Sequence, residues 1–189
     1  MKFIKDTTWA EVFESWRKRE ANNPGWIKVA TEIKGWPDWE SWRRSTAELM
    51  RADERDWKIY EFTDPINEIP EMLLGPYSGW QSRVPKKNVY TFDDLLSIPE
   101  QYEHFSKHEG VRSIMNGLPF ETEFIGLIRD DLDKIICIEG HHRAAAITIA
   151  KKQGRDIDLT GKVRIALAHL PKEEAALLYQ VLEKGTSNK

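Results

Sequence analysis

The residues with the clearest chemical potential lie where an apolar run gives way to an alanine-rich one. Glu139 follows the run Ile135–Ile138, the next residues are Gly140-His141-His142-Arg143, and the segment 144–150 is rich in alanine. The apolar run predicts a buried strand, and the segment after Gly140 predicts a helix. Helix starts normally carry Ser, Thr, Asp or Glu, because free N–H groups and the helix macrodipole make that end positive.

A basic helix start departs from this preference, and a bound anion would compensate for it. We therefore predict a phosphate-binding turn here, in preference to a basic helix start that is merely solvated. Gly140 would let the backbone approach the phosphate, while Arg143 and the turn N–H groups would hold its oxygens. His141 and His142 would donate further hydrogen bonds. Glu139 has two interpretations of equal weight: it holds Mg²⁺ or orients a nucleophile, or it pairs with a neighbouring Arg or Lys.

Composition limits the classes of protein to consider. The chain has 189 residues and a formal net charge of −3, which disfavours a nucleic-acid partner. Cys137 is the single cysteine, so an intramolecular disulfide framework is excluded and a reducing compartment is favoured. The sequence contains no apolar run of membrane-spanning length and no signal-peptide pattern at its start. These features predict a cytoplasmic protein without a membrane partner.

The pattern of apolar residues predicts an α+β domain over 57–185, with a mixed sheet and flanking helices, and a tail at 186–189. Four segments are predicted as strands: 57–62, 124–128, 135–138 and 163–168. The second and third of these form a hairpin. The stretch 64–88 is rich in Pro, Gly and Ser and is predicted to be mostly loop, with a short helix around 68–74.

Tryptophan is concentrated at the beginning of the chain. Six of the eight tryptophans lie in the first 42 residues. Residues 13–19 resemble residues 39–45, with an aromatic residue, Glu, Ser, Trp and a basic residue in the same order. We interpret the two stretches as similar amphipathic helices anchored by Trp, rather than as a duplicated binding motif. Residues 1–56 are therefore predicted as a Trp-rich helical segment that packs on the domain and could contact a protein partner.

Two motifs together suggest a family. The segment Ser113-Ile114-Met115-Asn116-Gly117-Leu118-Pro119, then a hairpin, then Glu139-Gly140-His141-His142-Arg143 and alanines, resembles the core of the ParB/sulfiredoxin superfamily. The resemblance is good over about 110–150 and extends from residue 57 to residue 170. Sulfiredoxins place a catalytic cysteine directly after the glycine, where this chain has His141. The Gly-His-His-Arg form looks most like free serine kinases, whose motif has Asp at the position of Glu139.

The resemblance implies a nucleotide (ATP, ADP or CTP) with its phosphates at Gly140–Arg143 and near Ser113. It further implies a Mg²⁺-dependent phosphotransferase or nucleotide hydrolase acting on a small hydroxyl-bearing substrate, with Glu139 and His141 as catalytic residues. The family's general-base glutamate lies near the first strand, and three residues qualify without distinction: Glu61, Glu68 and Glu71. One alternative is a non-catalytic, nucleotide-gated regulatory module, and another is a ParB-like nuclease.

Two further features are candidates for ligand contacts. The loop 75–88 is long and polar, and either closes over a ligand through Arg83 or a lysine, or is a flexible excursion. His104 and His108 are four residues apart, which would place both on one helix face, but the helical zinc motif is absent. We interpret these two histidines as part of an exposed polar face.

Overall fold

A five-stranded mixed sheet organises the protein in a computed structural model that describes residues 1–184. The strands lie in the order β1-β2-β5-β3-β4. Their bounds are Lys2–Thr7 (β1), Trp57–Glu61 (β2), Thr122–Arg129 (β3), Lys134–Glu139 (β4) and Val163–Leu170 (β5). Neighbouring strands are antiparallel except β3 and β5, which are parallel. The α+β class, the mixed sheet and the β3–β4 hairpin are thus confirmed.

Helices flank the sheet on both sides. The α-helices are Trp9–Glu20 (α1), Pro24–Lys28 (α2), Trp39–Leu49 (α3), Pro65–Glu68 (α4), Ser78–Gln81 (α5), Phe92–Leu95 (α6), Pro99–Lys107 (α7), Glu109–Gly117 (α8), His141–Lys152 (α9) and Ala176–Lys184 (α10). A π-helical turn, Val29–Ile33, continues α2, and short 3₁₀ turns lie at Ala52–Glu54, Ile69–Glu71 and Lys172–Glu174. No helix in the range 1–184 has the length and apolarity needed to cross a membrane.

The two faces of the sheet bury different cores, because successive side chains of a strand point to opposite faces. Phe124 and Ile165 belong to the core that also contains the alanines of α9. Their chain neighbours Ile125 and Ala166 belong to the core formed with α1, α3 and α10. The central strands β3 and β5 therefore fix α9 on one face and the Trp-rich helices on the other.

The first residues differ from the expectation of an entirely helical segment over 1–56. β1 pairs antiparallel with β2, so the sheet itself continues across the predicted boundary at residue 56. The helical part is otherwise as predicted: Thr8 caps α1 in a capping box with Glu11. Trp16 and Trp42, from the two similar stretches, are 1% and 5% exposed and share one core.

The sequence also predicts a helix over 99–108 that could run on to 115. The structure has α7 over Pro99–Lys107 and then a separate helix, because the backbone at His108 is extended and its side chain caps α8. The loop 64–88 contains short helices, and its residue Leu73 bridges to Ile136 of β4. The predicted tail, 186–189, lies outside the described residues.

Candidate functional site

The turn between β4 and α9 depends on a glycine at residue 140. Gly140 has φ of 110°, in the left-handed region that favours glycine. A Cβ placed there would lie 2.3 Å from Cδ1 of Phe124. The ring of Phe124 and the backbone conformation therefore both require glycine, which turns the chain sharply from β4 into α9.

The start of α9 opens into a cavity of about 490 Å³ lined by residues that include Gly140, His141, His142 and Arg143. No side chain caps this helix within residues 1–184, and its first backbone bond is from Ala144 N–H to the Gly140 carbonyl. The N–H groups of the first turn have no partner further back in the helix, as at every helix start. A cavity of this volume is in the range that accommodates small-molecule ligands.

The histidines of the motif are neutral, which the sequence did not indicate. Burial, and then the neighbouring His142, lowers the pKa of His141 to about 3. Burial, and then His108, lowers the pKa of His142 to about 4. At neutral pH neither imidazole carries charge, so the helix start is much less basic than its sequence suggests.

The ring nitrogens of His141 both have partners inside the protein. Gly75 N–H donates to Nε2 at 3.0 Å, so Nε2 carries no proton. Nδ1 then carries the proton and lies 3.7 Å from Sγ of Cys137. The imidazole joins the 73–75 segment to α9 and has no nitrogen left for phosphate or catalysis, contrary to the predicted role. Cys137 is fully buried, and burial raises the pKa of its thiol, as expected for a core residue rather than a nucleophile.

Arg143 is also engaged, and its partner is Glu139. One guanidinium nitrogen donates to both carboxylate oxygens of Glu139, and the other donates to Thr122 Oγ1 and to the carbonyl of Glu123. The side chains of Arg143 and Glu139 are only 15% and 7% exposed. The paired interpretation of Glu139 is therefore the one the structure shows. A carboxylate held in this way is a poor Mg²⁺ ligand. Because Glu139 already offsets the charge of Arg143, this guanidinium is also a weak partner for a phosphate.

A second arginine at the cavity was missed by the sequence analysis. Arg43 of α3 lines the cavity, is 8% exposed, and lies with its guanidinium 3.8 Å from the ring centroid of Trp42. One of its nitrogens donates to Glu20 at 3.1 Å. Its Nε, and Nε1 of Trp42, are buried donors without a hydrogen-bond partner in the range 1–184. Buried donors are rarely left unpaired, so the pair indicates a place for an acceptor atom.

Arg43 and the start of α9 both face the same cavity and influence each other electrostatically. The positive charge of Arg43 is close enough to contribute to the low pKa of His141. Glu20 also lines the cavity, and its carboxylate accepts from Trp39 Nε1 at 3.2 Å as well as from Arg43. Burial raises the pKa of Glu20, Arg43 opposes the rise, and the nearby Glu139 adds to it. The signal that could have found Arg43 was a basic residue next to a predicted core tryptophan.

Other cations and aromatic rings complete the cavity. Arg19 lines it and lies 3.7 Å from Glu139. Tyr77 and Trp80, from the loop 75–88, form part of the wall, and Tyr77 donates through its hydroxyl to the carbonyl of Ile138 at 3.1 Å. Burial raises the pKa of Tyr77, so the phenol stays protonated. The loop 75–88 thus contributes to the cavity wall through its aromatic residues.

Several predicted site residues lie elsewhere. Ser113 is exposed on α8 and does not line the cavity. The three candidate general bases are also outside it, and each has a partner: Glu61 with Arg164, Glu68 with the N-terminal amine, and Glu71 with Lys134.

The predicted cationic contacts from the loop are also absent from the wall. Arg83 donates to Gln101, and Lys87 donates to backbone carbonyls of its own loop, so the loop's positive charges hold its local structure. His108 caps α8 and stacks on His142 at 5.0 Å, which places it behind the wall rather than on an exposed face with His104. The structure therefore unites the 139–143 turn with α1 and α3, and α8 reaches the cavity through Ile114 rather than through Ser113.

Comparisons of the chain with protein-family models, with curated proteins and with solved structures found no match.

Proposed function

We propose that this protein binds a nucleotide (ATP, ADP or CTP) in the cavity at the start of α9, with the phosphates at the turn Gly140–Arg143. The observation that carries the proposal is Arg43, a buried cation with an unpartnered Nε that lines the same cavity as an uncapped helix start. Backbone N–H groups, the helix dipole and a guanidinium together form a favourable environment for a phosphate. The resemblance to the ParB/sulfiredoxin superfamily points to the same turn.

The electrostatics of the cavity favour Arg43 over Arg143 as the source of the binding charge. Arg143 is neutralised by Glu139 across two hydrogen bonds and is held by Thr122 and Glu123. Arg43 shares Glu20 with Trp39, and its Nε has no acceptor within residues 1–184. In this proposal Arg143 holds the shape of the turn, and Arg43 supplies the charge.

Calorimetric titration of the protein with ADP, ATP, CTP and inorganic pyrophosphate, with and without Mg²⁺, tests the proposal. We expect binding, and we expect Arg43→Gln to weaken it by more than about tenfold, since a charge-assisted hydrogen bond contributes about 1.5–3 kcal/mol. Arg44→Gln is the matched control, because Arg44 is the next residue, is exposed and pairs with Glu40. The Arg44→Gln variant should bind these ligands as tightly as the wild type does.

Glu20→Gln separates a charge effect from a loss of structure. This variant removes a negative charge from the cavity while keeping an acceptor for Trp39, so phosphate should bind more tightly than to the wild type. If a folded wild-type sample gives no heat with any of these ligands, the proposed function is wrong. If Arg43→Gln and Arg44→Gln bind equally well, the role given to Arg43 is wrong.

A phosphotransferase or nucleotide hydrolase is the second candidate, favoured by the position of Glu139 in the cavity wall beside the helix start. Residues 1–184 contain no group of three His, Cys, Asp or Glu side chains arranged to hold a metal ion, so Mg²⁺ would enter with the phosphates. Glu139→Gln should then abolish turnover while nucleotide affinity changes only a few fold. If the protein neither releases phosphate nor transfers it to any of a panel of small hydroxyl compounds, the catalytic candidate is wrong. The non-catalytic regulatory module then becomes the preferred function.

A further inference from the structure

One end of the cavity is walled by aromatic rings. The ring centroid of Trp26 lies 6.3 Å from that of His142 and 6.3 Å from that of Trp42. Trp80 approaches His142 at 5.5 Å from another direction. The four side chains all line the cavity. Because His142 is neutral and is stacked on His108 at 5.0 Å, its ring adds an uncharged surface between Trp26 and Trp80, while the guanidinium of Arg43 lies 5.3 Å from the Trp26 ring centroid.

Trp26 belongs to a short segment that otherwise adds only small or partly buried side chains to the core. It lies on α2, a five-residue helix with no buried residue, and the adjacent Ile27 is 40% exposed. Asn23 caps this helix by accepting from the N–H groups of Gly25 and Trp26. The chain then continues into the π-helical turn Val29–Ile33, a rare conformation that is frequent at functional sites. The segment places a half-buried indole at the cavity and packs on the core through Val29 and Ala30.

We infer that the indole of Trp26 stacks on the nucleobase of the bound nucleotide, so that α2 provides a base-binding wall beside His142 of α9. The inference rests on the proposed function, because the phosphate position determines which end of the cavity the base can reach. Stacking suits this wall because every base presents a π face to an aromatic side chain. The N-terminal segment would then supply both Arg43 for the phosphates and Trp26 for the base.

Titration of full-length Trp26→Leu with ADP and with inorganic pyrophosphate tests the inference. Loss of a stacking partner should weaken ADP binding by about 5- to 100-fold, because base stacking contributes about 1–3 kcal/mol. Pyrophosphate has no ring, so its affinity should stay within about twofold. Trp26→Phe should keep most of the ADP affinity. Trp36→Leu is the matched control, since Trp36 lies in the same segment but does not line the cavity.

A measurement on the wild type covers the case in which Trp26→Leu fails to fold. The indole N–H resonance of Trp26, assigned by its loss in Trp26→Phe, should shift on addition of ADP and stay in place with pyrophosphate. Equal weakening of both ligands in Trp26→Leu, unchanged ADP affinity, or a resonance that ADP does not move would overturn the inference while leaving the proposed function intact. A wild type that binds neither ligand would overturn both.

Discussion

The neutral state of His141 leads to a specific prediction about acid stability. The unfolded chain should titrate this histidine near 6.5, whereas burial lowers its pKa to about 3 in the folded protein. The unfolded state therefore binds more protons between these values, and the folded state loses stability as the pH falls through that window. The perturbation is His141→Gln, whose side-chain oxygen can still accept from Gly75 N–H.

The magnitude follows from the two pKa values. Between pH 7 and pH 5 the linkage relation gives a loss of about 2 kcal/mol in the free energy of unfolding at His141. The result barely depends on whether the folded pKa is 3 or 4, because pH 5 is above both. His142, with a pKa of about 4, should contribute a similar loss of about 2 kcal/mol. Domains are typically stable by only about 5–15 kcal/mol, so the effect should be readily measured.

Urea unfolding followed by tryptophan fluorescence at pH 7 and pH 5 is the appropriate assay. The wild type should lose more stability between the two pH values than His141→Gln does, by about 2 kcal/mol. The difference between the two proteins isolates His141 from the carboxylates, which titrate in both. An identical pH dependence in the two proteins would show that His141 is not a buried neutral histidine in the native state.

Three further substitutions test the packing around the site by urea unfolding at pH 7. Gly140→Ala should destabilise the protein by about 2–5 kcal/mol, because it combines a left-handed backbone with a clash against Phe124; near-neutral behaviour would refute the strained turn. Arg143→Ala should cost about 3–5 kcal/mol by leaving Glu139 buried without its partner, whereas a surface pair would cost less than about 1 kcal/mol. Trp16→Ala should cost about 3–5 kcal/mol in one cooperative transition, and an unmoved main transition would mean that α1 is only loosely attached.

The sequence was sufficient to predict the centre of the fold. β3, β4 and β5 are short apolar runs, and α9 follows a glycine that interrupts the strand pattern. These elements are buried on both sides, so their residue types are dictated by the core and leave a clear pattern. The turn at Gly140 was predicted for the same reason.

The edge of the sheet could not be predicted in the same way. β1 is almost entirely exposed, and its sequence Lys-Phe-Ile-Lys-Asp-Thr lacks a simple alternation of apolar and polar residues. A β-bulge between Phe3 and Lys5 further disturbs the pattern. The strand forms because β2 offers it an open edge, and this long-range pairing leaves little trace in the local sequence.

The charge of the site could not be predicted from the motif for a related reason. Adjacent basic residues in a sequence suggest one charged group, yet tertiary contacts decide which of them remain charged. Burial neutralises His141 and His142, and Glu139 compensates Arg143 from the preceding strand. The helix start therefore needs no anion to offset the charge of its own motif.

The cavity at the start of α9, rather than the residue types of the motif, is therefore what favours a bound anion. The ion pair that fixes Arg143 also offsets its charge at the cavity, so a phosphate there would depend on backbone N–H groups and on a cation from another element. Arg43 fits this requirement because it is buried, lines the cavity and has an Nε without an acceptor among residues 1–184. The helical segment that positions Arg43 is thereby part of the site, although the Gly140–Arg143 motif lies about 100 residues later in the chain.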